Sequence, residues 1–424
     1  MNSQAGEAHH SVWGAVVGSR LLAWLAGLAG FLQLGAVAGV TKNYDPTGLV
    51  APFHQYFANA LVAPLARWDS VWYLEIAKYG YQGQPERMAY YPLYPLMMRA
   101  LGWVTGSELV AGVLISLVCF TVAIWLLVRL VSAERGARVA AATVLLIAFS
   151  PMSFFFSAVY TESLFLALSV GCIYAARRER WWLAGVLGFL AAMSRNGGIV
   201  LIVPLAVIYL YEPPAAAGRA AAVTRRAGLA AALRFRRALD WQVLWLALVP
   251  AGLGVYLGYL GLKYGHALEP FQIEAAWRRH TTFPLTTIMR GTTQAIDAVR
   301  QLLHGPTAPY YIPLYTTGPT GSACEDLGLF GFMIAGLVAT VECFRKLPLS
   351  YALYTLALFA MALSDPVSLQ PFASLPRYEL VIFPMFIWAG ELLSRRRILR
   401  TGVACGAVLL GLFAAEFACW YWVA

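Results

Sequence analysis

Long apolar runs constrain the fold of this sequence more than any other feature. Several of them approach the ~20 residues that a helix needs to cross the hydrocarbon core of a bilayer. Only 12% of the 424 residues are charged, whereas water-soluble domains carry about a quarter. The sequence therefore predicts an all-α polytopic membrane protein, a single domain over 1–424 with about eleven transmembrane helices. The predicted spans are 13–40, 107–131, 138–156, 159–176, 181–194, 197–211, 242–263, 327–344, 348–363, 378–394 and 401–423.

Basic residues between the runs indicate how the bundle is oriented. Lys and Arg are enriched in cytoplasmic loops, and the basic connections all fall on one side if the N-terminus is cytoplasmic. We therefore expect a multi-pass protein of the plasma (inner) membrane, with a basic cytoplasmic loop at 212–241 and an extracytoplasmic functional face. These connections account for the formal net charge of +10. No basic domain or RNA-binding signature points to nucleic acid as a partner.

The stretch 181–211 decides this orientation. Read as one span, it would put the most basic loop outside, against the charge rule. Read as two short helices, it breaks at Ser194-Arg195-Asn196-Gly197-Gly198, where paired glycines disfavour a helix interior. An arginine deep in lipid is costly, and irregular backbone at that depth requires protein or a water-filled cavity around it. We therefore predict a submerged polar vertex, the first indication of a site.

Two long connections, 41–106 and 264–326, are predicted on the extracytoplasmic side. Both mix aromatic residues, charges and proline, which is typical of folded loops with short amphipathic helices. The six cysteines have no C-x-x-C or Cys/His spacing, so the sequence supports neither a disulfide framework nor structural zinc. The first apolar run exceeds the h-region of a signal peptide, and we interpret it as an uncleaved span.

The first loop contains the most informative segment, Arg67 to Tyr81. Its apolar residues predict a short interfacial helix with Asp69 in the first turn, where the helix dipole favours a carboxylate. Asp69 has two interpretations: an N-cap of that helix, or a general base at the membrane surface beside Arg67. We interpret Glu75 and Lys78 as surface groups of the same helix.

Further polar and aromatic residues fall in the other predicted extracytoplasmic segments. Each arginine, taken alone, is explained by snorkelling at a span boundary, although Arg195 lies between two short helices. Several arginines with one or two carboxylates suit sugar transfer from a lipid-linked phosphate. Arginine binds phosphate through paired N–H donors, and a carboxylate accepts the proton of the attacking hydroxyl. The segments are Tyr90–Pro95, Ser150–Pro151, Tyr160–Ser163, Arg195–Asn196, Trp277–His280 and Arg377–Tyr378.

Several of these segments form an ordered series of motifs. They are Arg67-Trp68-Asp69-Ser70 with Ile76-Ala77 and Gly80-Tyr81, Tyr90-Tyr91-Pro92-Leu93-Tyr94-Pro95, Ser150-Pro151 with Tyr160-Thr161-Glu162-Ser163-Leu164-Phe165, Ser194-Arg195-Asn196-Gly197, and Arg377-Tyr378. The series resembles the PIG-V-like glycosyltransferases, relatives of the second mannosyltransferase of glycosylphosphatidylinositol assembly within the GT-C membrane class. The Ser194 motif is one residue shorter than the family's Arg-Ser-Asn-Gly.

The resemblance implies a GT-C-type bundle and an inverting glycosyltransferase, usually a mannosyltransferase, without a metal or other cofactor. Its partners would be a polyprenyl-phosphate-linked sugar donor, a lipid or glycan acceptor, and membrane lipids. Asp69 would be the catalytic base, and Glu162 would orient the sugar or the base. The donor phosphate would lie near Arg195 and Arg377, with help from Arg278 or Arg279. Other expected substrate contacts are Arg67, Trp68, Tyr73, Tyr91, Tyr160, Asn196 and Tyr378.

Two alternatives stay open at this point. One keeps the GT-C fold and uses a different lipid-linked sugar, such as glucose or a pentose. The other is a non-enzymatic lipid-sugar flippase or assembly factor. A base at Asp69 is needed for turnover and contributes little to donor binding, so this residue separates an enzyme from a carrier.

Overall fold

Helices form nearly all of the regular structure in the computed structural model, which describes residues 2–37, 39–212, 240–305 and 319–423. Within these ranges, β structure is limited to isolated bridges that join Val367 to Arg279 and Gln370. The helices are α1 (Asn2–Leu34), α2 (Val40–Tyr44), α3 (Tyr56–Val62), α4 (Ser70–Tyr79), α5 (Leu93–Thr105), α6 (Glu108–Arg135), α7 (Ala137–Ala148), α8 (Glu162–Arg177), α9 (Trp181–Ser194), α10 (Ile202–Tyr211), α11 (Leu248–Tyr264), α12 (Glu269–Gln272), α13 (Pro284–His304), α14 (Pro319–Lys346), α15 (Leu349–Leu363), α16 (Leu375–Glu379), α17 (Phe383–Arg395) and α18 (Leu399–Ala418). The all-α class predicted from the sequence is confirmed.

Five helical segments in the described ranges are long and apolar enough to cross a membrane. They are Val12–Leu34, Glu108–Arg135, Trp241–Tyr264, Thr320–Lys346 and Leu399–Ala418. The other apolar helices are shorter, between 10 and 17 residues. The multi-pass membrane character is therefore supported, whereas the predicted number of eleven spans is not confirmed.

Two predicted spans differ from the observed helices, and a proline lies near each difference. The span predicted over 138–156 ends as a helix at Ala148, because Pro151 disfavours helical backbone at the residue before it. The span predicted over 378–394 is interrupted between Glu379 and Phe383. Pro384 lies in the first turn of the second piece, where its missing N–H costs nothing.

The break predicted within 181–211 is confirmed, whereas its depth in the membrane stays a prediction. Helix α9 ends at Ser194, Arg195 has extended backbone, and a 3₁₀ helix covers Asn196–Leu201 before α10 begins. Helix α9, which leads to this vertex, is closely packed, because a Cβ on Gly185 would lie 2.3 Å from the Trp245 carbonyl oxygen. The glycine therefore brings α9 against the helical segment Trp241–Ala247.

Both predicted long loops contain short helices. The first, 41–106, contains α2 to α5 and the 3₁₀ helices Ala63–Leu65 and Pro85–Ala89. The second contains α12, the 3₁₀ helix Ile273–Trp277 and α13. Residues 213–239 of the predicted basic loop and residues 306–318 of the second long loop lie outside the described residues. The domain limits and the orientation across the membrane stay predictions.

Candidate active site

A cavity of about 350 Å³ brings together five segments that are distant in the sequence. Its lining includes Asp69, the pair Tyr90–Tyr91, the vertex Arg195–Asn196, the segment Trp277–Arg279, and the pair Arg377–Tyr378. The sequence predicted these segments on one side of the membrane without showing that they meet. In the structure they surround one space.

Asp69 directs its carboxylate into a network and not onto its own helix. It precedes α4, yet its side chain makes no capping hydrogen bond. Its Oδ2 accepts a hydrogen bond from Arg377 Nη1 at 2.6 Å, and its Oδ1 accepts one from the Tyr90 hydroxyl at 3.1 Å. Asp69 thus occupies the N-cap position of α4 without capping the helix through its side chain, and the residue lines the cavity.

The backbone beside Asp69 is held in a strained conformation by buried contacts. Trp68 has a φ of 54°, a left-handed value that is costly for a bulky residue and clusters at functional sites. The guanidinium of Arg67 is buried and donates hydrogen bonds to the carbonyl oxygens of Ala63, Ala66 and Ala418. The indole Nε1 of Trp68 donates to the Tyr421 carbonyl oxygen at 3.1 Å.

Arg67 does not line the cavity, in contrast to Trp68. Its guanidinium is occupied by backbone carbonyls within the protein, so the expected substrate contact by Arg67 has no support in the geometry. The expectation for the neighbouring helix α4 was also partly wrong. Lys78 is exposed, but Glu75 is buried and forms an ion pair with Arg87 at 3.1 Å.

Glu162 is the first residue of α8 and lies directly behind the cavity wall. Only 1% of its side chain is exposed, and its Oε1 lies 3.2 Å from Arg377 Nε and 3.6 Å from Arg195 Nη1. No donor in the described part of the chain makes a hydrogen bond to Glu162 Oε2. Glu162 thus joins two guanidinium groups while one of its own buried oxygens stays available.

Arg195 is stacked between two aromatic rings at the vertex. Its guanidinium carbon lies 5.3 Å from the ring centroids of both Phe165 and Tyr378. The next residue, Asn196, uses its Oδ1 to accept a hydrogen bond from Gly197 N at 2.8 Å. This bond stabilises the turn, so the Asn196 side chain contributes to the shape of the cavity as well as to its lining.

The two arginines of the second loop have different environments. Arg279 donates to the Asp365 carbonyl oxygen at 2.7 Å and to Ser374 Oγ at 3.0 Å. Arg278 is exposed, and its backbone carbonyl accepts hydrogen bonds from Ser368. Arg278 therefore presents the freer guanidinium at the cavity, while that of Arg279 is held by the segment before α16.

Among the predicted aromatic contacts, Tyr73, Tyr91 and Tyr378 line the cavity. Tyr160 lies behind it, where its hydroxyl donates to the Arg67 carbonyl oxygen at 3.1 Å and accepts from Asp69 N at 3.2 Å. Tyr160 therefore fixes the backbone that carries Asp69.

Comparison with known protein families finds a match to part of this chain. Residues 43–210 match the family model described as Mannosyltransferase (PIG-V). The chain is PIG-V-like over this stretch. The match contains Asp69, Glu162 and Arg195 and confirms the resemblance drawn from the motifs. Arg377 lies outside it.

Two curated relatives also match part of this chain. One is GPI alpha-1,6-mannosyltransferase 2 of Rattus norvegicus, 31% identical over 160 residues, which cover 34% of this chain and 31% of the relative. The other is GPI mannosyltransferase 2 of Yarrowia lipolytica, 27% identical over 169 residues, which cover 39% of this chain and 45% of the relative. The chain thus spans less than half of the length of the curated relatives that it matches.

One solved structure with a similar trace is the Archaeoglobus fulgidus oligosaccharyltransferase tethered to an acceptor peptide. The alignment has a TM-score of 0.45 and 13% identity, and it covers 97% of this chain and 55% of the other. A likeness at this level does not establish a shared mechanism.

Sequence reasoning missed several residues that line the cavity. Tyr44 and Trp422 line it from outside the motifs, and Trp422 lies in the last apolar run, where an aromatic residue carries no signal of its own. Glu274 also lines it, four residues before Arg278. A carboxylate so close to the arginine pair was a signal that could have been used.

Two ionisable groups that line the cavity outside the predicted spans have raised pKa values. Burial and then the neighbouring carboxyl of Asp365 raise the pKa of Glu274 to about 8, against an opposing effect of Arg279. Burial and the nearby Asp69 raise the pKa of Tyr90 well above its usual value. Tyr90 therefore stays a neutral donor to Asp69 at physiological pH.

In the described ranges, His, Cys, Asp and Glu residues form no group of three or more suited to a metal ion. The expectation of a reaction without a metal or other cofactor stays a prediction.

Proposed function

We propose that this chain is an inverting glycosyltransferase that moves a sugar, most simply mannose, from a polyprenyl-phosphate donor to a hydroxyl of a lipid or glycan acceptor. The reaction would take place on the extracytoplasmic face of the plasma membrane. One observation carries the proposal: Arg377 holds Asp69 at 2.6 Å beside a cavity that arginines and aromatic residues line. The PIG-V match over the stretch with Asp69 and Glu162 supports it.

The proposed step is a direct displacement at the anomeric carbon. The acceptor oxygen attacks C1 of the sugar as the bond from C1 to the phosphate oxygen breaks. Polyprenyl phosphate leaves with the electron pair of that bond, and the acceptor proton passes to the carboxylate of Asp69. One displacement inverts the configuration at C1. A single phosphate leaves against guanidinium groups, which provide paired donors to its oxygens.

Arg195 and Arg377 suit the donor phosphate because each meets the cavity and shares Glu162 behind it. In the absence of donor, the carboxylates of Asp69 and Glu162 balance the positive charges of the two arginines. A bound phosphate would draw Arg377 toward its own oxygens and weaken the contact with Asp69, which would free that carboxylate to accept a proton. Arg278, exposed at the cavity, would add a further donor.

Aromatic faces around the cavity suit the flat, apolar face of a sugar ring. Trp277 packs edge-on against Trp72 and Tyr90, with ring centroids 5.9 and 6.0 Å apart. Trp422 contributes from the opposite end of the sequence and packs against Trp68 at 5.2 Å. Aromatic contacts of this kind do not distinguish one sugar from another. The choice of mannose therefore rests on the family resemblance.

A transfer assay tests the proposal. Purified protein in nanodiscs would receive polyprenyl-phosphate-[³H]mannose and a lipid extract of the host. We expect label in a new product with the wild type and a loss of about 10³-fold with Asp69→Asn, within the range for removal of a general base. The matched control is Asp297→Asn, because Asp297 is exposed on α13 and pairs with Arg300.

Donor binding is measured on the same samples. Asp69→Asn that binds donor and transfers sugar like the wild type would overturn the role of Asp69. A wild-type protein that binds donor without transfer to any acceptor in the extract would favour the carrier alternative, which a vesicle flipping assay then tests. Transfer from a different polyprenyl-phosphate sugar would keep the enzyme and replace mannose.

A further inference from the structure

Glu274 and Asp365 form a carboxyl pair at the boundary between two cavities. Both carboxyl groups border the same small space and lie close enough for Asp365 to affect the ionisation of Glu274. Glu274 lines the main cavity, and both residues line a smaller neighbouring cavity of about 60 Å³. Arg195 and Tyr378 border both spaces. The pair therefore lies next to the vertex arginine to which we assign the donor phosphate.

The charged side chains that line the cavity offer more donors than free acceptors. Arginine side chains only donate hydrogen bonds, and Asp69 already accepts from Arg377 and Tyr90. Asp69 and Glu274 are the acidic residues in the lining, as far as the structure describes it. Sugar hydroxyls need acceptors as well as donors, so Glu274 supplies what the arginines lack.

Two neighbouring carboxyl groups that together hold one proton can both donate and accept, as long as a ligand hydroxyl takes the O–H. An ionised carboxylate only accepts, whereas a protonated carboxyl adds one O–H donor. Such a pair can therefore bind two adjacent hydroxyl groups of a pyranose, one as donor and one as acceptor. Nothing in the catalytic step proposed above uses it.

We propose that the Glu274–Asp365 pair recognises the hydroxyl groups of the donor sugar and makes the enzyme selective among lipid-linked sugars. This inference rests on the proposed function and deepens it. The chemical class of the ligand is a hexose with free hydroxyls whose anomeric oxygen carries a phosphate. The pair then binds the hydroxyl groups of the sugar, while Arg195 and Arg377 bind the phosphate beside it.

The protonation state of the pair supports this role. The pKa of Glu274 is raised to about 8, first by burial and then by Asp365. Its folded-state pKa lies above the usual value, so Glu274 keeps its proton below about pH 8 and loses it above. Recognition through an O–H donor therefore weakens as the pH rises through about 8.

Other charged groups near Glu274 act in known directions. Arg279, in the same segment, favours the ionised form of Glu274. Tyr91 of the first loop faces it, and the charge of Glu274 raises the pKa of that tyrosine after burial has done so. The 3₁₀ helix Pro85–Ala89 packs against the segment and carries Glu86 and Arg87, of which Arg87 is paired with Glu75.

Monodeoxy donors test the proposal. The wild type would be assayed with polyprenyl-phosphate-mannose and its 2-, 4- and 6-deoxy analogues, together with Glu274→Ala and Glu274→Gln. We expect one deoxy analogue to lower kcat/KM of the wild type about tenfold, as a lost hydrogen bond to a binding group would. Glu274→Ala should lower kcat/KM for mannose by a similar factor and lose this discrimination.

The pH profile gives a second readout that a merely structural role would not move. Wild-type kcat/KM should fall above about pH 8, whereas Glu274→Gln, whose amide both donates and accepts at every pH, should keep the discrimination without this fall. The control is Glu269→Gln, on α12, which pairs with His266 and does not line the cavity.

Binding of mannose 1-phosphate and its deoxy analogues separates this inference from the proposed function. Transfer by the wild type with an equal deoxy penalty in Glu274→Ala would overturn the inference alone. Selective binding that Glu274→Ala abolishes, without transfer by the wild type, would keep the inference and overturn the transferase. Absence of both transfer and binding in the wild type would overturn both.

Discussion

The two ends of α8 carry two buried ionic networks with opposite characters. Glu162, its first residue, belongs to the cavity network of Asp69, Glu162, Arg195 and Arg377. Arg177, its last residue, belongs to the far network of Glu134, Arg177 and Glu212. At ~1.5 Å of rise per residue, the two side chains start about 22 Å apart. Each charge also has the sign that the helix dipole favours at its end.

The carboxylates of the far network are fully engaged. Arg177 lies 3.0 Å from Glu134 Oε1 and 2.7 Å from Glu212 Oε2. Glu212 also accepts hydrogen bonds from the backbone N–H and the hydroxyl of Ser350, and Glu134 accepts one from the Tyr351 hydroxyl. Every one of these four oxygens has a partner, so the network ties α6, α8, α10 and α15 together.

The cavity network differs because it is incomplete. Glu162 Oε2 accepts no hydrogen bond within the described residues, and the nearest Arg195 contact is as long as 3.6 Å. A buried, unsatisfied polar group is costly, and such groups persist where a ligand or a reaction uses them. Buried ion pairs thus engage every carboxylate oxygen at one end of α8 and leave one unengaged at the other, where we propose that the donor binds.

The largest effect is expected at Arg377, where a substitution should impair sugar transfer without destabilising the fold. Lysine keeps the charge but lacks the planar fork that reaches Asp69 and Glu162 together. We expect Arg377→Lys to lower kcat of sugar transfer by about 10³-fold, because both the orientation of the base and the phosphate contact are lost. Its thermal unfolding midpoint should stay close to that of the wild type. Near-normal transfer by this variant would remove the distinction between the two networks.

Arg177→Met tests the same comparison from the other end. It leaves Glu134 and Glu212 buried without a cation, and loss of one partner of a buried pair costs about 3–5 kcal/mol. We expect a clearly lower unfolding midpoint in detergent, together with kcat/KM per folded molecule within about threefold of wild type. A selective loss of turnover with unchanged stability would show that the far network takes part in the reaction.

Features that depend on neighbouring residues in the sequence were predictable, whereas contacts between distant segments were not. The limits of α9 and the break at Arg195 were predictable, because an apolar run ends at a polar residue followed by two glycines. The contact between Asp69 and Arg377 joins residues 308 positions apart. Hydropathy and charge assigned both to one depth, but only tertiary packing decides which neighbours touch.

Side-chain direction was the other feature that the sequence could not reveal. Arg67 lies only two residues before Asp69, but the left-handed backbone of Trp68 turns the two side chains to different surroundings. Glu75 looked like a surface group until Arg87, on the following 3₁₀ helix, was seen to pair with it. The carboxyl pair of Glu274 and Asp365 likewise depends on two segments that meet only in the fold.

A smaller effect is expected at the vertex. Arg195 stacks on Tyr378 and meets Glu162 only loosely, so its removal should cost the donor phosphate a charge-assisted bond of about 1.5–3 kcal/mol. We predict that Arg195→Ala weakens donor binding by about tenfold to a hundredfold, with a smaller change in kcat. Donor titration of wild type and variant in nanodiscs measures this directly. Unchanged donor affinity would count against a phosphate site at the vertex.

The smallest effect concerns backbone strain at the end of the molecule that contains the far network. Arg397 has a φ of 59° and is exposed, and the hydrogen bonds from Arg397 N to the Ser394 carbonyl and from Ile398 N to the Leu393 carbonyl form a Schellman motif after α17. Glycine is preferred at this position because it lacks the Cβ that makes left-handed backbone costly. Arg397→Gly should therefore raise the free energy of unfolding by up to about 1 kcal/mol without changing transfer.

Trp68 has a similar φ of 54° beside Asp69, yet Trp68→Gly would also remove the indole that packs on Trp420 and Trp422. If both glycine variants were stabilising and fully active, strain next to the cavity would have no more functional meaning than strain in a surface turn.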